Sequence, residues 1–289
     1  MRDLSASSVA RINRAHDGLH ELLELVDRSR RLVVLTGAGC STGSGIPDYR
    51  DRDGEWKRRP PVRFQQFMWS AETRQRYWAR SMVGWKLVES AQPNTAHEAL
   101  AAIEALGRLR YLVTQNVDGL HQKAGSVHVN DLHGRVDRVC CLDCGQTSSR
   151  LEFQNRLSAM NPTWQHHRAS YAPDGDADLD GVRFEAFQVP ECVRCAGTLK
   201  PDVVFFGESV PRPRVDEAMA NVDASDLLLV VGSSLMVWSG YRFVKRARDA
   251  GIPVAAVNLG KTRADAEIGV KVRADCGEVL QAVVRALPV

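Results

Sequence analysis

The fold is decided by Leu32-Val33-Val34-Leu35-Thr36-Gly37-Ala38-Gly39-Cys40-Ser41-Thr42-Gly43-Ser44-Gly45-Ile46-Pro47-Asp48-Tyr49-Arg50. Arg31 to Thr36 reads as a short apolar strand running into Gly37-Ala38-Gly39, a turn that exposes backbone N–H groups to a phosphate at a following helix N-terminus. A dehydrogenase fingerprint G-x-G-x-x-G would need glycine at position 42, where Thr42 stands, and no ribose-binding acid follows about 20 residues on, so hydride transfer is disfavoured. Outward from this turn, strands and helices alternate. Ala6 to Arg30 carries Ile12, Leu19, Leu22, Leu23 and Val26 at helical spacing. Ala71 to Ser90 and Ala96 to Leu106 read as helices, the second capped by Asn94 or Thr95 and ended by Gly107. Tyr111 to Thr114, Val203 to Phe206, Leu227 to Val231 and Val254 to Val257 read as strands, with helices over Pro213 to Val222, Tyr241 to Ala250 and Cys276 to Leu287. The alternation predicts an α/β fold, a Rossmann-like doubly wound parallel sheet with its crevice at the strand carboxyl ends.

The chain has 289 residues, of which 44% are hydrophobic and 25% charged, with a formal net charge of +3. That suits a globular protein of one large domain or two modest ones and excludes disordered and collagen-like architectures. No run of five basic residues demands nucleic acid, and the longest apolar runs are strand-sized, so no membrane span is expected. The N-terminus lacks the apolar stretch of a secretory signal, and a cytoplasmic location is expected. The seven cysteines form no obvious disulfide framework. Instead Cys141-Leu142-Asp143-Cys144 and Cys192-Val193-Arg194-Cys195 are two C-x2-C knuckles flanking residues 145–191. Two such pairs fit one tetrahedral Zn2+, whose four thiolates at about 2.3 Å leave no open position, so the site would be structural and would supply roughly 10 kcal/mol to a module with a poor core. Cys140 would give the poorer spacing C-x3-C and reads as a bystander. Asn161-Pro162, the segment from Tyr171 to Asp176 and Asp180-Gly181 predict a loop-rich insert clamped by the metal.

Further motifs follow in order: Thr114-Gln115-Asn116-Val117-Asp118-Gly119-Leu120-His121, Leu132-His133-Gly134, the paired cysteines, Lys200-Pro201-Asp202-Val203-Val204-Phe205-Phe206-Gly207-Glu208, and Gly232-Ser233-Ser234. Together they resemble the sirtuins, NAD-dependent protein-lysine deacylases, from about Leu32 to Cys276. Gln75-Arg76-Tyr77-Trp78-Ala79-Arg80, Asn161-Pro162-Thr163-Trp164 and Ser239-Gly240-Tyr241-Arg242-Phe243 further resemble the class II branch, which includes an animal mitochondrial lipoamidase and ADP-ribosyltransferase sirtuin and its bacterial relatives.

The resemblance implies a chemistry and assigns residues to it. In sirtuins the acyl-lysine oxygen attacks C1′ of the nicotinamide ribose and expels nicotinamide, and a histidine then takes a ribose hydroxyl proton, leading to 2′-O-acyl-ADP-ribose. His133 matches that histidine, and an imidazole suits a base that must be neutral at working pH. Asn116 and Asp118 match residues that hold the ribose and the nicotinamide carboxamide, an amide being a natural donor to a carboxylate. The cofactor-loop match covers Gly37, Ala38, Gly39, Ser41, Ile46, Pro47, Asp48, Tyr49 and Arg50, with Arg50 near the phosphates and Tyr49 shielding the reactive carbon. Gln115, Val117, Gly232, Ser233, Ser234, Asn258, Leu259, Gly260 and Cys276 complete the NAD site, with Asn258 at the adenosine ribose and Cys276 beside the adenine. Val203, Val204, Phe205, Phe206 and Gly207 match the segment that pairs with an extended substrate peptide. Tyr77 and Arg80 have the Tyr-x-x-Arg spacing by which class III sirtuins read acidic acyl chains, while a helix surface bearing Tyr and Arg is equally ordinary. The segment Trp164 to Gln188 matches in place a class II loop that reaches the acyl channel.

The implied architecture divides the chain into a Rossmann-like NAD-binding domain (1–50, 93–135 and 200–289), a cofactor loop and helical part (51–92), and a zinc module (136–199). The expected partner is an acyl-lysine protein or peptide, with no direct nucleic-acid or membrane contact, and a monomer is expected. An ADP-ribosyltransferase using the same NAD site is the alternative. A non-catalytic zinc module would have no need of His133, Asn116 and Asp118 together. Cys40 reads as structural, since a catalytic thiol would need a base that the sequence does not identify. His97, His128, His166 and His167 read as structural too, and His121 at most as support for the site.

Overall fold

The computed structural model describes residues 18–57, 60–166, 170–171, 177–179 and 183–288. The first part of the expected helix Ala6 to Arg30 and most of the turn-rich insert lie outside the described residues; within them, helix α1 covers residues 18–28. Strand β1, Leu32–Thr36, is buried at every position, as a central strand covered on both faces must be. Its alternate side chains enter two separate cores. Leu32 and Val34 pack with Leu22 and Val26 of α1, with Leu100 and Ile103 of α4 (Thr95–Ala105), and with Val279, Leu280 and Val283 of α9 (Cys276–Ala286). Val33 and Leu35 pack with Ala218 and Val222 of α7 (Arg212–Asp223) and with Phe243, Val244 and Ala247 of α8 (Trp238–Asp249). The period-two geometry of a strand thus sends one apolar run into two helical layers.

Around β1 lie β2 (Leu109–Thr114), β3 (Val129–Asp131), β9 (Leu227–Val231), β10 (Val254–Val257) and β11 (Val270–Val272), in the order β11-β10-β9-β1-β2-β3. Every pairing is parallel. A second sheet is antiparallel, with β4 (Gly134–Cys141) between β5 (Thr147–Ser149) and β8 (Leu199–Val203). A short pair, β6 (Ser170–Tyr171) with β7 (Ala177–Asp178), lies in the insert. Helices α2 (Phe64–Trp69), α3 (Ala71–Ser90) and α6 (Arg150–Met160) pack against this smaller part, and α5 (Leu120–Lys123) follows β2. Among the described residues no helix is long and apolar enough to cross a membrane.

Two expectations are corrected here. The strand expected over Val203 to Phe206 ends at Val203 and starts at Leu199, in the antiparallel sheet rather than the parallel one. Pro201 is accommodated because β8 is an edge strand, where a missing N–H breaks no ladder. Nor is the core of the cysteine module poor: Phe67, Trp78, Phe153, Leu157, Phe187 and Phe205 pack with the buried Cys141 and Cys192.

Candidate active site

The parallel strands end in one cavity of about 1080 Å3, above the usual range for a single small ligand. Residues 37–39 and Ser41 reach it from β1, 115–118 from β2, His133 from beyond β3, 232–234 from β9, 258–260 from β10, and Cys276 from the start of α9. This is the carboxyl end of the sheet, where a doubly wound fold opens its crevice. The glycine turn is clamped against β9: Gly37 N–H donates to Val231 O at 3.0 Å and Gly39 N–H to Gly232 O at 2.8 Å. Gly232 sits at φ +60, and a Cβ there would lie 2.3 Å from Cys40 N, so no other residue fits. The turn does not feed an α-helix, as the sequence led one to expect. Two 3-10 turns follow, Ala38–Cys40 and Thr42–Ser44, and Gly45 ends the second in a left-handed conformation.

A directional hydrogen-bond chain lies beneath this turn. Asn94 N–H donates to His97 Nδ1 at 3.2 Å, which leaves the neutral ring's hydrogen on Nε2, 3.4 Å from Ser41 Oγ. Asn116 Nδ2 donates to Ser41 Oγ at 2.9 Å and to Gly37 O at 3.1 Å. Ser41 Oγ donates in turn to Asp118 Oδ2 at 2.7 Å, while Leu120 N–H donates to Asp118 Oδ1 at 2.9 Å. Both amide hydrogens of Asn116 are therefore used internally, and its side-chain oxygen is the group left to a ligand. Cys40, His97 and His121 are buried together nearby. The hydrogen on His97 Nε2 makes them a poor metal set. Burial raises the Cys40 thiol well above its ordinary pKa, the opposite of what an activated nucleophile needs.

His133 is held from both sides. Its Nδ1 lies 2.9 Å from Gln115 O, an acceptor that fixes a proton on Nδ1, and its Nε2 lies 2.8 Å from Ser239 Oγ, whose hydroxyl donates to the free lone pair. Burial pushes its pKa down to about 4, with Arg242 and Arg214 adding to the effect against the pull of the Gln115 carbonyl. The ring is therefore neutral at physiological pH, with its base nitrogen in the cavity wall.

The loop over the cavity is an aromatic cluster. Tyr49 meets Trp56 and Phe206 edge-on at 6.2 and 6.3 Å, and the Arg50 guanidinium lies 4.1 Å from the centre of the Trp56 ring while donating to Gly54 O at 2.7 Å. Asp48 pairs with Lys57. Residues 203–207 line the cavity next to this cluster, tied back by Val204 N–H to His133 O at 2.8 Å and by Phe64 N–H to Phe206 O at 2.9 Å. Of the residues singled out from the sequence, Ile46, Asp48, Tyr49, Arg50, Asn258, Leu259, Gly260, Cys276 and Tyr77 line the cavity, whereas Pro47 and Arg80 do not. Sequence reasoning missed Ser239, the support from His97 and Asn94, and Arg242. Ser239 and Arg242 stood in the Ser239 to Phe243 stretch that resembles the class II branch, shortly after β9, but nothing in the sequence gave them a role.

The four knuckle cysteines converge. Their sulfurs lie within 4.8 Å of one another, with Cys141 to Cys195 at 3.5 Å and Cys144 to Cys192 at 3.8 Å. Four bonds of about 2.3 Å to a tetrahedral Zn2+ place sulfurs about 3.8 Å apart, so the thiols fit zinc without rearrangement. Cys140 stands outside the set, as its spacing implied. Cys141 ends β4 while Cys144, Cys192 and Cys195 lie in turns beside the smaller antiparallel sheet, and none of the four lines the cavity, consistent with a structural ion.

The Sir2 family model matches residues 37–239. A protein of Xanthomonas campestris pv. campestris (strain 8004) named NAD-dependent protein deacetylase is 60% identical, over 90% of this chain and 88% of its own. The bovine mitochondrial NAD-dependent protein lipoamidase sirtuin-4 is 51% identical over 90% of this chain and 84% of its own, in keeping with the class II resemblance. A solved Sir2 structure with p53 peptide and NAD+ superposes with a TM-score of 0.73 at 30% identity, covering 92% of this chain and 97% of that one. With the family model matching residues 37–239 and a relative 60% identical over nine-tenths of its length, the chain belongs to the Sir2 family.

Proposed function

We infer that this protein is an NAD-dependent protein-lysine deacylase that releases nicotinamide and 2′-O-acyl-ADP-ribose. The observation that carries the reading is the environment of His133: a neutral imidazole with its proton on Nδ1 and its Nε2 lone pair at the cavity wall. NAD, when bound, supplies a ribose carbon whose bond to nicotinamide can be broken. Asn116 and Asp118 orient the ribose and the carboxamide. His133 Nε2 accepts the ribose hydroxyl proton and Ser239 yields that lone pair to it. Tyr49, Trp56 and Phe206 keep water from the reacting carbon. Residues 203–207 hold the peptide in an extended conformation, and the zinc module steadies that wall through the pairing of β8 with β4. The three-part division of the chain given above follows the same roles.

The acyl chain accepted is neutral. Tyr77, Val88, Val117, Val136 and Val203 give the cavity an apolar stretch of lining, and Arg80, the residue that would meet an acyl carboxylate, does not line it. Such walls favour apolar and extended acyl groups over succinyl or glutaryl ones. A monomer is the oligomeric state that goes with this reading. The free cysteines suit the reducing cytoplasm. The test is nicotinamide release from NAD with acetyl-, lipoyl-, succinyl- and glutaryl-lysine peptides, alongside His133→Ala. Acyl-dependent release that vanishes in the variant and is largest with the neutral acyl groups is expected. Release without acyl-lysine, accompanied by ADP-ribosylated protein, would move the assignment to ADP-ribosyl transfer.

A further inference from the structure

Arg242 lines the cavity and, among the described residues, pairs a buried guanidinium nitrogen with the absence of any counter-ion. On the same helix α8, Arg246 pairs with Asp223, and Arg248 with Asp249 and Glu267. Of the other arginines near His133, Arg214 pairs with Asp202 and Arg212 with Asp216. Among the described residues Arg242 makes no ion pair or hydrogen bond, and its Nε is buried with no partner. It is three residues on from Ser239, on the same helix face, and lines the cavity. A partly desolvated guanidinium with no counter-ion is costly to fold, and its fixed fork is shaped for a carboxylate. Glu208, an acid that also lines the cavity, is already engaged by Lys200 Nζ at 3.1 Å and Phe205 N–H at 2.8 Å.

The position of Arg242 tells which anion it meets. The phosphates of a dinucleotide belong at the glycine turn and at residues 232–234. Arg242 instead stands one helical turn from Ser239, the residue that touches His133 Nε2, and Val204, Val210, Val215 and Trp238 line the same cavity. An extended peptide held along residues 203–207, which are tied to His133 through Val204, would carry its acyl-lysine past His133 and its flanking residues toward Arg242. We propose that Arg242 is a specificity-determining residue that binds the carboxylate of an acidic side chain flanking the acyl-lysine, so that the preferred substrates carry Asp or Glu beside the modified lysine. This inference rests on the deacylase reading for its substrate class.

The test compares acetyl-lysine peptides identical except for Glu, Gln or Lys at each position within two residues of the acetyl-lysine. Dissociation constants come from fluorescence anisotropy and kcat/KM from nicotinamide release, for the wild type, Arg242→Gln and Arg242→Glu. A charge-assisted contact at a half-exposed guanidinium should favour Glu over Gln by about tenfold at one position, less at high salt. Within each enzyme the ratio divides out any general loss of activity. The ratio should fall to about one in Arg242→Gln, and Arg242→Glu should prefer the Lys peptide. A wild-type ratio near one at every position overturns the proposal, as does a preference that survives Arg242→Gln. An Arg242-dependent preference for succinyl-lysine in a neutral peptide would also overturn it, placing the carboxylate on the acyl chain. Should the variants fail to fold, the wild-type ratios and their salt dependence still decide. Charge-selective binding without turnover would uphold Arg242 and overturn the deacylase reading.

Discussion

Replacing Asp118 by Asn exchanges one oxygen for an NH2 and changes the shape of the site hardly at all, so it isolates the direction of the hydrogen-bond chain. In the wild type Asp118 accepts from Ser41 Oγ at 2.7 Å and from Leu120 N–H at 2.9 Å. An asparagine can satisfy only one of these donors. If its oxygen stays with Leu120, its NH2 faces a Ser41 oxygen that already receives Asn116 Nδ2 at 2.9 Å and has the His97 ring nitrogen 3.4 Å away. The Ser41 hydrogen then has no acceptor, because His97 Nδ1 is taken by Asn94 N–H. Losing one charge-assisted bond in a partly buried network costs about 1.5–3 kcal/mol, or about 10- to 150-fold in an equilibrium. We expect Asp118→Asn to lower kcat/KM for NAD by that factor, measured by nicotinamide release well below the unfolding temperature. Ser41→Ala/Asp118→Asn should lose less than the sum of the two single losses, since both act on one chain. An Asp118→Asn enzyme within twofold of the wild type, or strict additivity in the double variant, would refute the reasoning.

Three other outcomes follow from the same geometry. Removing zinc, verified by metal analysis, should loosen the knuckles and the β4–β8 pairing, lower the near-ultraviolet circular dichroism and abolish turnover; a metal-free protein with unchanged structure and activity would defeat the structural assignment. Because burial, with Arg242 and Arg214, holds His133 at about 4 and the base must be neutral, kcat/KM should persist from neutrality down to about pH 5 in the free enzyme, and Arg242→Gln should move that acid limb upward; a wild-type limb near 6.5 contradicts this. Burial also lowers His97 and, further, His121 below the ordinary 6.5. The unfolded chain therefore binds more protons as pH falls through 6.5, and the urea midpoint should drop between about pH 7 and pH 5, an effect that His121→Gln reduces.

The central strands could be read from sequence because they are continuous apolar runs, broken only by the terminal Thr36 of β1: β1, β9 and β10 are buried throughout and offer no competing pattern. Strands β3 and β11 are three residues long, too short for any periodicity to register. The segment after Lys200 misled for a different reason. Val203-Val204-Phe205-Phe206 is the most apolar stretch there, yet the ladder forms over Leu199–Val203 with Pro201 inside it, and the apolar run leaves the sheet to line the cavity. The cysteine knuckles were legible from spacing alone, since two bonds to one ion from each tight turn constrain the sequence locally. Ser239, His97 and Arg242 were not. Ser239 and Arg242 come from a helix more than 100 residues downstream of His133, and His97 from the first turn of α4, so only the tertiary fold brings them to the cleft.

Two histidines, one in the cavity wall and one buried beneath the glycine turn, show how that fold assigns chemistry to a residue type that carries none by itself. His97 and His133 are both neutral rings, each with Nδ1 facing a backbone group. At His97 that group is Asn94 N–H, a donor, so Nδ1 must accept and Nε2 carries the hydrogen. At His133 it is the Gln115 carbonyl, an acceptor, so Nδ1 carries the hydrogen and Nε2 presents a lone pair. The first ring can therefore only donate toward Ser41, feeding a chain that ends on the Asp118 carboxylate, and the second can only accept, which a general base must do. Neither role is encoded at the histidine. One follows from a helix N-cap at Asn94 and the other from a carbonyl just past the end of β2, and exchanging the two backbone partners would exchange the roles.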